Sequence, residues 1–268
     1  MNEHAHLSDD LTVLAIPAFV DNYLWLLHDT GGDAVVIDPG DGDAVQSRLD
    51  ALGLRLRGIL ITHHHPDHIG GAAALAARHD CPVIGPNDSR IAMVTQPVAD
   101  GDCVALSRPH IQFRVVHVPG HTISHLAYVG HESAFVGDTL FSAGCGRLFE
   151  GSAEQMLRSL DTLSALPPST QVFCAHEYTR DNARFALEWE PDNELLRRRY
   201  ERVCALRQRQ QRTVPTTIGD ELAFNPFLRC DQPGLRNRLQ EKTADPIRDR
   251  LATFARLREL KNDYVARH

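Results

Sequence analysis

Short β-like runs, most of them apolar, alternate with turns in the first two thirds of the chain, a pattern typical of β-strands. Turn-forming pairs such as Pro39-Gly40 and Pro119-Gly120 separate these runs. The predicted strands are Asn22–His28, Ala34–Ile37, Gly58–Thr62, Pro82–Ile84, Ile111–Val118, Leu126–Val129, Ser133–Val136 and Gln171–Ala175. Helical patterns rich in Ala and Leu lie between some of them, at Asp43–Leu52, Gly70–Arg78 and Ala153–Leu163. This order predicts an α+β fold in which helices cover layered sheets.

The last third of the chain has a helical pattern. Apolar residues recur at helical spacing from Pro191 to about Gln211, and again from Ile247 to Leu257. The charge changes at about the same place, because residues 1–184 carry a net charge of −11 and residues 185–268 a net charge of +4. We therefore expect two domains, one over 1–184 and a small all-α domain over 185–268.

The overall composition argues against several kinds of partner. A net charge of −7 and a pI of about 6.1 give no reason to expect attraction to nucleic acid or to anionic membrane. The sequence has no apolar run near the roughly 18 residues of a membrane span, and its N-terminus lacks a signal-peptide pattern. Six scattered cysteines without a CxxC pair indicate free thiols. We expect a cytoplasmic monomer without nucleic-acid or membrane partners.

One short segment carries the chemistry. Residues 61–71 read Ile-Thr-His-His-His-Pro-Asp-His-Ile-Gly-Gly, with four His and one Asp inside six positions. In extended backbone His63 and His65 share a face, and Asp67 and His68 then turn back over the start of a helix. Burying so many polar side chains without partners would be costly. Imidazole and carboxylate groups suit zinc, iron or manganese, so the segment predicts a metal site.

Three further candidates each follow an apolar run. His121 comes after Phe113–Val118 and a Pro-Gly turn, Asp138 after Ala134–Gly137, and His176 after Val172–Ala175. The expected ligands are therefore His63, His65, Asp67, His68, His121, Asp138 and His176. Seven ligands exceed what one tetrahedral ion uses. With Asp138 as a bridge they divide between two divalent ions, for which zinc is expected and iron or manganese is compatible.

These residues resemble the ordered motifs of the metallo-β-lactamase superfamily. The matching segments are Thr62–His68, Pro119–Thr122, Gly137–Thr139 and Ala175–Glu177. Within that superfamily the chain is similar to the glyoxalase II (hydroxyacylglutathione hydrolase) family, over nearly its whole length after about ten residues. That similarity rests on Gly137–Arg147, His176–Tyr178, Asn225–Phe227 and the pair Arg258 and Lys261. It implies an αββα sandwich that forms a catalytic domain over 1–184, followed by a small all-α domain over 185–268 that binds substrate.

The resemblance also implies roles for individual residues. His63, His65 and His121 would hold one metal, Asp67, His68 and His176 the other, and Asp138 would bridge them beside a hydroxide. Asp67 and Asp138 would act in catalysis with that hydroxide. The glutathione moiety would contact Arg147, Tyr178, Arg258 and Lys261.

The implied reaction is hydrolysis of S-D-lactoylglutathione to glutathione and D-lactate, the second step of methylglyoxal detoxification. Where the family often has a Tyr whose hydroxyl would donate a hydrogen bond to glutathione, this sequence has Phe149, which has no hydroxyl.

Three other functions share parts of this pattern. A glutathione persulfide (sulfur) dioxygenase of the same superfamily would bind one iron, whereas this chain has a full set of seven ligands and a long helical tail. An RNA-processing nuclease would have the same His-rich motif, but the acidic first domain disfavours a polyanion. A non-hydrolytic iron module of an oxygen reductase would need a flavin signal, which the sequence lacks.

Overall fold

Strands fill the first part of the chain, in agreement with its hydrophobic pattern. The computed structural model describes residues 4–7, 10–243 and 246–267. The strands are β1 (His4–His6), β2 (Leu11–Ala18), β3 (Asn22–Asp29), β4 (Asp33–Ile37), β5 (Arg55–Leu60), β6 (Val83–Pro86), β7 (Gln96–Val98), β8 (Cys103–Ser107), β9 (His110–His117), β10 (Leu126–Gly130), β11 (Ser133–Gly137), β12 (Leu140–Phe141), β13 (Gly144–Cys145), β14 (Gln171–Cys174) and β15 (Thr216–Thr217).

Helices connect the strands and make up most of the last third. They are α1 (Gly42–Leu52), α2 (Pro66–Ile69), α3 (Ala72–His79), α4 (Ala153–Ser164), α5 (Thr179–Trp189), α6 (Glu194–Gln208), α7 (Ile218–Phe224), α8 (Pro233–Lys242) and α9 (Arg250–Arg267). Each predicted strand and helix overlaps one of these elements, which confirms the α+β class. No helix in the described part of the chain is long and apolar enough to cross a membrane.

The chain divides into two compact units. The first contains the described residues up to His117 together with Ser124–Gly137 and Phe173–His176, and the second contains Val118–Ile123, Asp138–Val172 and the described residues from Glu177 onward. The expected boundary at residue 184 stays a prediction.

Two sheets form the first unit. One has the order β1-β2-β3-β4-β5-β6-β7, antiparallel up to β4 and parallel from β4 onward. In the other, β8, β9, β10 and β11 follow one another as an antiparallel meander beside β14. The Tyr128 hydroxyl donates to the Ile61 carbonyl at 2.7 Å, and Trp25 Nε1 donates to the Cys174 carbonyl at 3.0 Å. These bonds join the two sheets face to face as a sandwich.

Helices α1 and α3 cover the other face of the first sheet. Val45 and Leu49 of α1 and Leu75 of α3 pack on strand residues such as Val36 and Ile59, all of them buried. The Asp41 side chain caps α1 by accepting from the Ala44 amide at 3.0 Å. The apolar spacing that predicted these helices therefore reflects the face they bury.

Helices dominate the second unit. Ala183 and Ala186 of α5 pack with Leu196 of α6 and Phe224 of α7 in one buried cluster. The rings of Phe185, Phe227 and Phe254 continue this core, with successive ring centres 6.4 Å and 5.8 Å apart. The hairpin of β12 and β13 belongs to the same unit. All six cysteines are free thiols, as the sequence predicts.

Candidate metal centre

The His-rich segment follows β5, the strand that pairs in parallel with β4. Strand β5 ends at Leu60, so the extended pairing stops before the predicted Thr62. Even so, His63 Nε2 and His65 Nδ1 lie 3.0 Å apart, and the two side chains point together as expected. Pro66 then starts the short helix α2, which carries Asp67 and His68. The segment thus supplies four of the expected ligands within six residues.

Asp67, His68 and His176 form a cluster in the first unit. His68 Nε2 lies 3.4 Å and His176 Nε2 lies 3.6 Å from Asp67 Oδ2, and the three ligand atoms fall within 4.8 Å of one another. His68 and His176 are buried, whereas Asp67 is partly exposed. These separations are longer than hydrogen bonds and are typical of groups that ligate one ion between them.

Partners behind the imidazoles fix their orientation. The second ring nitrogen of His68 donates to Asp38 Oδ2 at 2.9 Å, and that of His176 donates to Asp21 Oδ1 at 2.8 Å. With Nδ1 engaged on a carboxylate, Nε2 faces the cluster in the orientation that a metal ligand requires. Asn22 Nδ2 donates to Asp67 Oδ2 at 2.9 Å and holds that carboxylate in place.

Asp38 and Asp21 are not among the residues predicted from the sequence. Asp38 follows β4 with a φ of 51° and is only 3% exposed. It also accepts from the Thr62 amide at 2.7 Å and the Thr62 hydroxyl at 2.6 Å. An acid directly after an apolar strand, beside the strand that leads to the motif, is the signal that could have found it.

A glycine allows the segment to approach the end of β4. A Cβ on Gly40 would lie 1.8 Å from the Asp67 carbonyl oxygen, so no side chain fits there. Gly71 donates its amide to the Pro39 carbonyl at 2.9 Å and ties the end of the motif to the same turn. The Pro-Gly pair that marked a turn in the sequence therefore also shapes the site.

His121 and Asp138 lie in the second unit. His121 Nε2 is 3.4 Å from Asp138 Oδ2, and both side chains are buried. His121 Nδ1 donates to the Arg147 carbonyl at 2.8 Å. As with His68 and His176, one ring nitrogen is anchored and the other faces a carboxylate.

The donor set fits divalent metal ions. Imidazole nitrogens with outer hydrogen-bond partners converge on carboxylate oxygens in both units, and no thiol takes part. Asp38, His63 and His68 also converge within 4.8 Å. Asp38, however, already accepts three hydrogen bonds, which suits an outer partner better than a ligand.

The expected glutathione contacts all lie in the second unit. Arg258 and Lys261 are on α9, and they are 6% and 5% exposed. Arg258 Nη1 donates to the Cys145 carbonyl at 2.6 Å, and Lys261 Nζ donates to the Asp181 carbonyl at 3.2 Å. Burial, with Arg258 as a further cause, lowers the pKa of Lys261 to about 8. These cations are therefore not part of a solvated helix surface.

Arg147 and Tyr178 are exposed, unlike the two buried cations. The Arg147 guanidinium lies 5.4 Å from the ring centre of Phe149, which is 59% exposed. The Tyr178 ring packs edge-on against Phe141, with ring centres 5.2 Å apart. The structure thus places two of the expected contact residues on the surface and two in the interior of the same unit.

Known proteins of similar sequence agree with this arrangement. Residues 19–176 match the profile of the metallo-beta-lactamase superfamily, and residues 177–264 match that of the hydroxyacylglutathione hydrolase C-terminus. A hydroxyacylglutathione hydrolase from Aliivibrio salmonicida is 48% identical over 255 residues, covering 95% of this chain and all of that protein.

Two solved structures share the fold. The BLEG-1 B3 metallo-beta-lactamase superposes with a TM-score of 0.62 at 23% identity, covering 81% of this chain and 99% of that one. TTHA1623 in a di-iron-bound form gives a TM-score of 0.58 at 25% identity, also over 81% of this chain and 99% of that one.

Fold and site together define a metal-dependent hydrolase with a metallo-β-lactamase sandwich and a C-terminal helical domain. The chain belongs to the hydroxyacylglutathione hydrolase family of the metallo-β-lactamase superfamily.

Proposed function

We propose that the protein hydrolyses the thioester of S-D-lactoylglutathione to glutathione and D-lactate, the second step of methylglyoxal detoxification. One structural observation carries this proposal: the anchored imidazoles of His68 and His176 face the Asp67 carboxylate at 3.4 and 3.6 Å. A relative 48% identical over 95% of the chain bears the name hydroxyacylglutathione hydrolase. The site and the relationship therefore support the same reaction.

The seven ligands would hold two divalent ions. We assign His63, His65 and His121 to one ion, Asp67, His68 and His176 to the other, and Asp138 to both. Zinc is the proposed ion, and the same nitrogen and oxygen ligands also suit iron or manganese. When bound, such ions supply hydroxide at neutral pH and polarise a carbonyl group.

The protein's own residues orient the reaction. Asp67 and Asp138 would accept hydrogen bonds from the attacking water and fix its position. The Asn22 amide keeps Asp67 in one rotamer, and the Arg147 carbonyl keeps His121 in one tautomer. Cysteine-like thiols have a pKa near 8.5, so the glutathione thiolate leaves without full protonation. The reaction thus needs no side-chain nucleophile.

Cationic groups of the second unit would hold the glutathione moiety. Glutathione carries two free carboxylates, and Arg258, Lys261 and Arg147 are the proposed partners for them. The Tyr178 hydroxyl would add a hydrogen bond. Positions i and i+3 of a helix lie on the same side, so Arg258 and Lys261 can serve one ligand.

A thioester assay with metal analysis tests the function. We expect loss of absorbance of S-D-lactoylglutathione, loss of turnover after chelation, its return with Zn²⁺, and about two metals per chain. Two bound metals without turnover would reject the substrate and leave the metal site. One iron per chain, with oxygen uptake on glutathione persulfide, would reject the proposed hydrolase and identify the protein as a persulfide dioxygenase.

A further inference from the structure

A small hairpin connects Asp138 to Arg147. Strands β12 and β13 pair Leu140 with Cys145 and Phe141 with Gly144, so Ser142 and Ala143 form a two-residue turn. Ala143 has a φ of 57°, in the left-handed region that disfavours a residue with a Cβ. A two-stranded hairpin of this size is not stable by itself, so its conformation must come from its surroundings.

Side chains from the helices satisfy the backbone of this turn. Glu221 Oε2 accepts from the Ala143 amide at 2.8 Å. Asn225 Nδ2 donates to the Phe141 carbonyl at 3.1 Å and to the Gly144 carbonyl at 3.0 Å. Asn182 Nδ2 donates to the Ser142 carbonyl at 3.2 Å. Three side chains thus bind four backbone groups of a turn that has little pairing of its own.

The side chains of Glu221 and Asn225 form a buried pair. Both are 0% exposed, and Asn225 Nδ2 lies 2.9 Å from Glu221 Oε2. The Thr216 hydroxyl donates to Glu221 Oε1 at 2.8 Å, and Asn225 Oδ1 accepts from the Phe227 amide at 3.1 Å. Nearly every hydrogen-bonding position of the two side chains is used, which fixes them in one conformation.

One end of the hairpin leads to the assigned metal ligand Asp138, and the other leads to Arg147, whose carbonyl binds the assigned ligand His121. Asp138 stands two residues before β12, and the Gly146 amide donates to the Thr139 carbonyl at 3.1 Å to close the loop. A Cβ on Gly146 would lie 1.9 Å from the Asp138 carbonyl, so the two ends pack directly together. Arg147, next in the chain, supplies the carbonyl that binds His121 Nδ1 at 2.8 Å. A shift of the hairpin would therefore move Asp138 and rotate His121.

We infer that Glu221 and Asn225 are positioning residues for Asp138 and His121, acting through the Leu140–Cys145 hairpin; the inference rests on the proposed metal-dependent hydrolysis. Neither residue touches a metal ligand in the described part of the chain. Their contribution is to hold the loop that presents the ligands, as outer partners do around other metal sites.

Asn225→Asp is the sharpest variant. It keeps the oxygen that accepts from Phe227, and it replaces the amide that donates to the hairpin carbonyls by a carboxyl oxygen, which also faces Glu221 Oε2 at the 2.9 Å position of that amide. We expect kcat to fall about 100-fold with KM changed less than about 3-fold, because a displacement near 1 Å costs about that much in rate. Zn²⁺ affinity, titrated against a chromophoric chelator, is expected to fall about 10-fold or more at the site assigned to His121, and by less at the other site, which shares Asp138.

Two substitutions of Glu221 separate positioning from charge. Glu221→Ala is expected to repeat the Asn225→Asp effects. Glu221→Gln should restore most of the activity, because its amide oxygen can still accept from Ala143 and its nitrogen can donate to Thr216. Burial raises the pKa of the Glu221 carboxyl, so a neutral isostere suits the site.

Glu190→Ala provides a matched control in the same unit. Glu190 is also nearly buried, and it binds Arg229 at 3.0 Å, away from the hairpin. We expect this variant to unfold at lower temperature with unchanged kcat and Zn²⁺ affinity.

If Asn225→Asp behaves like Glu190→Ala, with lower stability and normal metal affinity and kcat, the inference is wrong. The Zn²⁺ titration decides this even if the wild type does not hydrolyse the thioester, a result that would overturn only the proposed function. Should Glu221→Ala fail to fold, two variants still test the inference. Asn225→Asp is expected to lose activity and Zn²⁺ affinity, and Glu221→Gln is expected to keep most of its activity.

Discussion

The metal cluster of the first unit and the cationic pair of the second unit both place polar groups in the interior, and they do so differently. His68 and His176 bind carboxylates through one ring nitrogen and face Asp67 with the other. Arg258 and Lys261 bind backbone carbonyls and lie against aromatic rings, with Lys261 Nζ 5.2 Å from the Phe185 ring centre. One region is oriented by hydrogen bonds from imidazoles to carboxylates, and the other is held by neutral dipoles and π faces.

This difference bears on what each region can bind. Carboxylates behind the imidazoles add negative charge near a cation site and raise the basicity of the ligands. Carbonyls and rings leave the charge of the two cations largely uncompensated, which favours an anionic ligand. We therefore expect changes in the first region to act on metal binding, and changes in the second to act on KM.

Removal of the Asp38 carboxylate should have the largest effect on stability and on Zn²⁺ affinity. Asp38→Ala leaves three buried donors without their acceptor and frees the His68 ring. We expect the free energy of unfolding to fall by about 2 to 4 kcal/mol and Zn²⁺ affinity to fall up to about 100-fold. Chemical denaturation and a chelator titration measure the two quantities.

Asp33→Asn is a matched control, because Asp33 lies at the other end of the same strand and binds Arg55 and Arg57 instead. It should leave Zn²⁺ affinity unchanged. If Asp38→Ala also kept its full Zn²⁺ affinity, Asp38 would have only a structural role.

Asp21→Ala should have a smaller effect of the same kind. Asp21 is partly exposed, and it accepts a hydrogen bond from the imidazole of His176. Water can replace it, so we expect about 10-fold weaker Zn²⁺ binding and little change in the denaturation midpoint. An Asp21→Ala variant weaker in metal binding than Asp38→Ala would reverse the expected order and contradict the importance of burial here.

The periodic parts of the fold were predictable from the sequence. Strands β3 to β6 follow from short apolar runs between turn signals, and helices α1 and α3 follow from helical spacing. Strand β2 was missed although it buries six of its eight residues, as many as β3 does, because Pro17 inside the run weakens its strand pattern. The hairpin of β12 and β13 was missed because two-residue strands leave no periodic signal, and its shape depends on Glu221 and Asn225.

Residue type decides how well each part of the site could be predicted. His68 was predicted as a ligand because hydrophobic packing gives no reason for so dense a cluster of histidines, whereas metal binding does. Asp38 and Asp21 resemble any acid at a strand end or turn, and only the three-dimensional contact to an imidazole distinguishes them. The burial of Lys261 was not predictable from its helical spacing, because it depends on α5 and the rings around it.

Lys261→Met tests the second region. The variant keeps an unbranched chain but removes the ammonium, so KM for S-D-lactoylglutathione should rise about 10-fold with kcat nearly unchanged. Its unfolding free energy below pH 8 should rise by up to about 3 kcal/mol, because the buried charge is disfavoured in the folded state. Steady-state kinetics and denaturation at several pH values measure both.

The titration of Lys261 should make both the stability and the KM of the wild type depend on pH. Burial lowers the pKa of Lys261 to about 8 in the folded protein, below the ordinary 10.5, and Arg258 adds to this lowering whereas Asp181 opposes it. Between these values the unfolded chain holds a proton that the folded protein lacks, so stability rises with pH. KM should increase over the same window as the ammonium is lost. A pH-independent KM in the wild type would remove Lys261 from the glutathione contacts.

Phe149→Tyr should give the smallest effect and the finest test of the second region. Phe149 is 59% exposed, its ring packs edge-on against His121 at 5.2 Å, and Arg147 lies over it. A hydroxyl here could reach a ligand at the surface without disturbing the core, and one added hydrogen bond is worth about 0.5 to 1.5 kcal/mol. KM should therefore fall about 3-fold or somewhat more, with kcat and stability unchanged.

Phe19→Tyr makes the same change at a side chain that is 60% exposed in the first unit, and it should alter neither KM nor kcat. If both variants lowered KM equally, the gain would be a general surface effect, and the position of Phe149 would not limit glutathione binding.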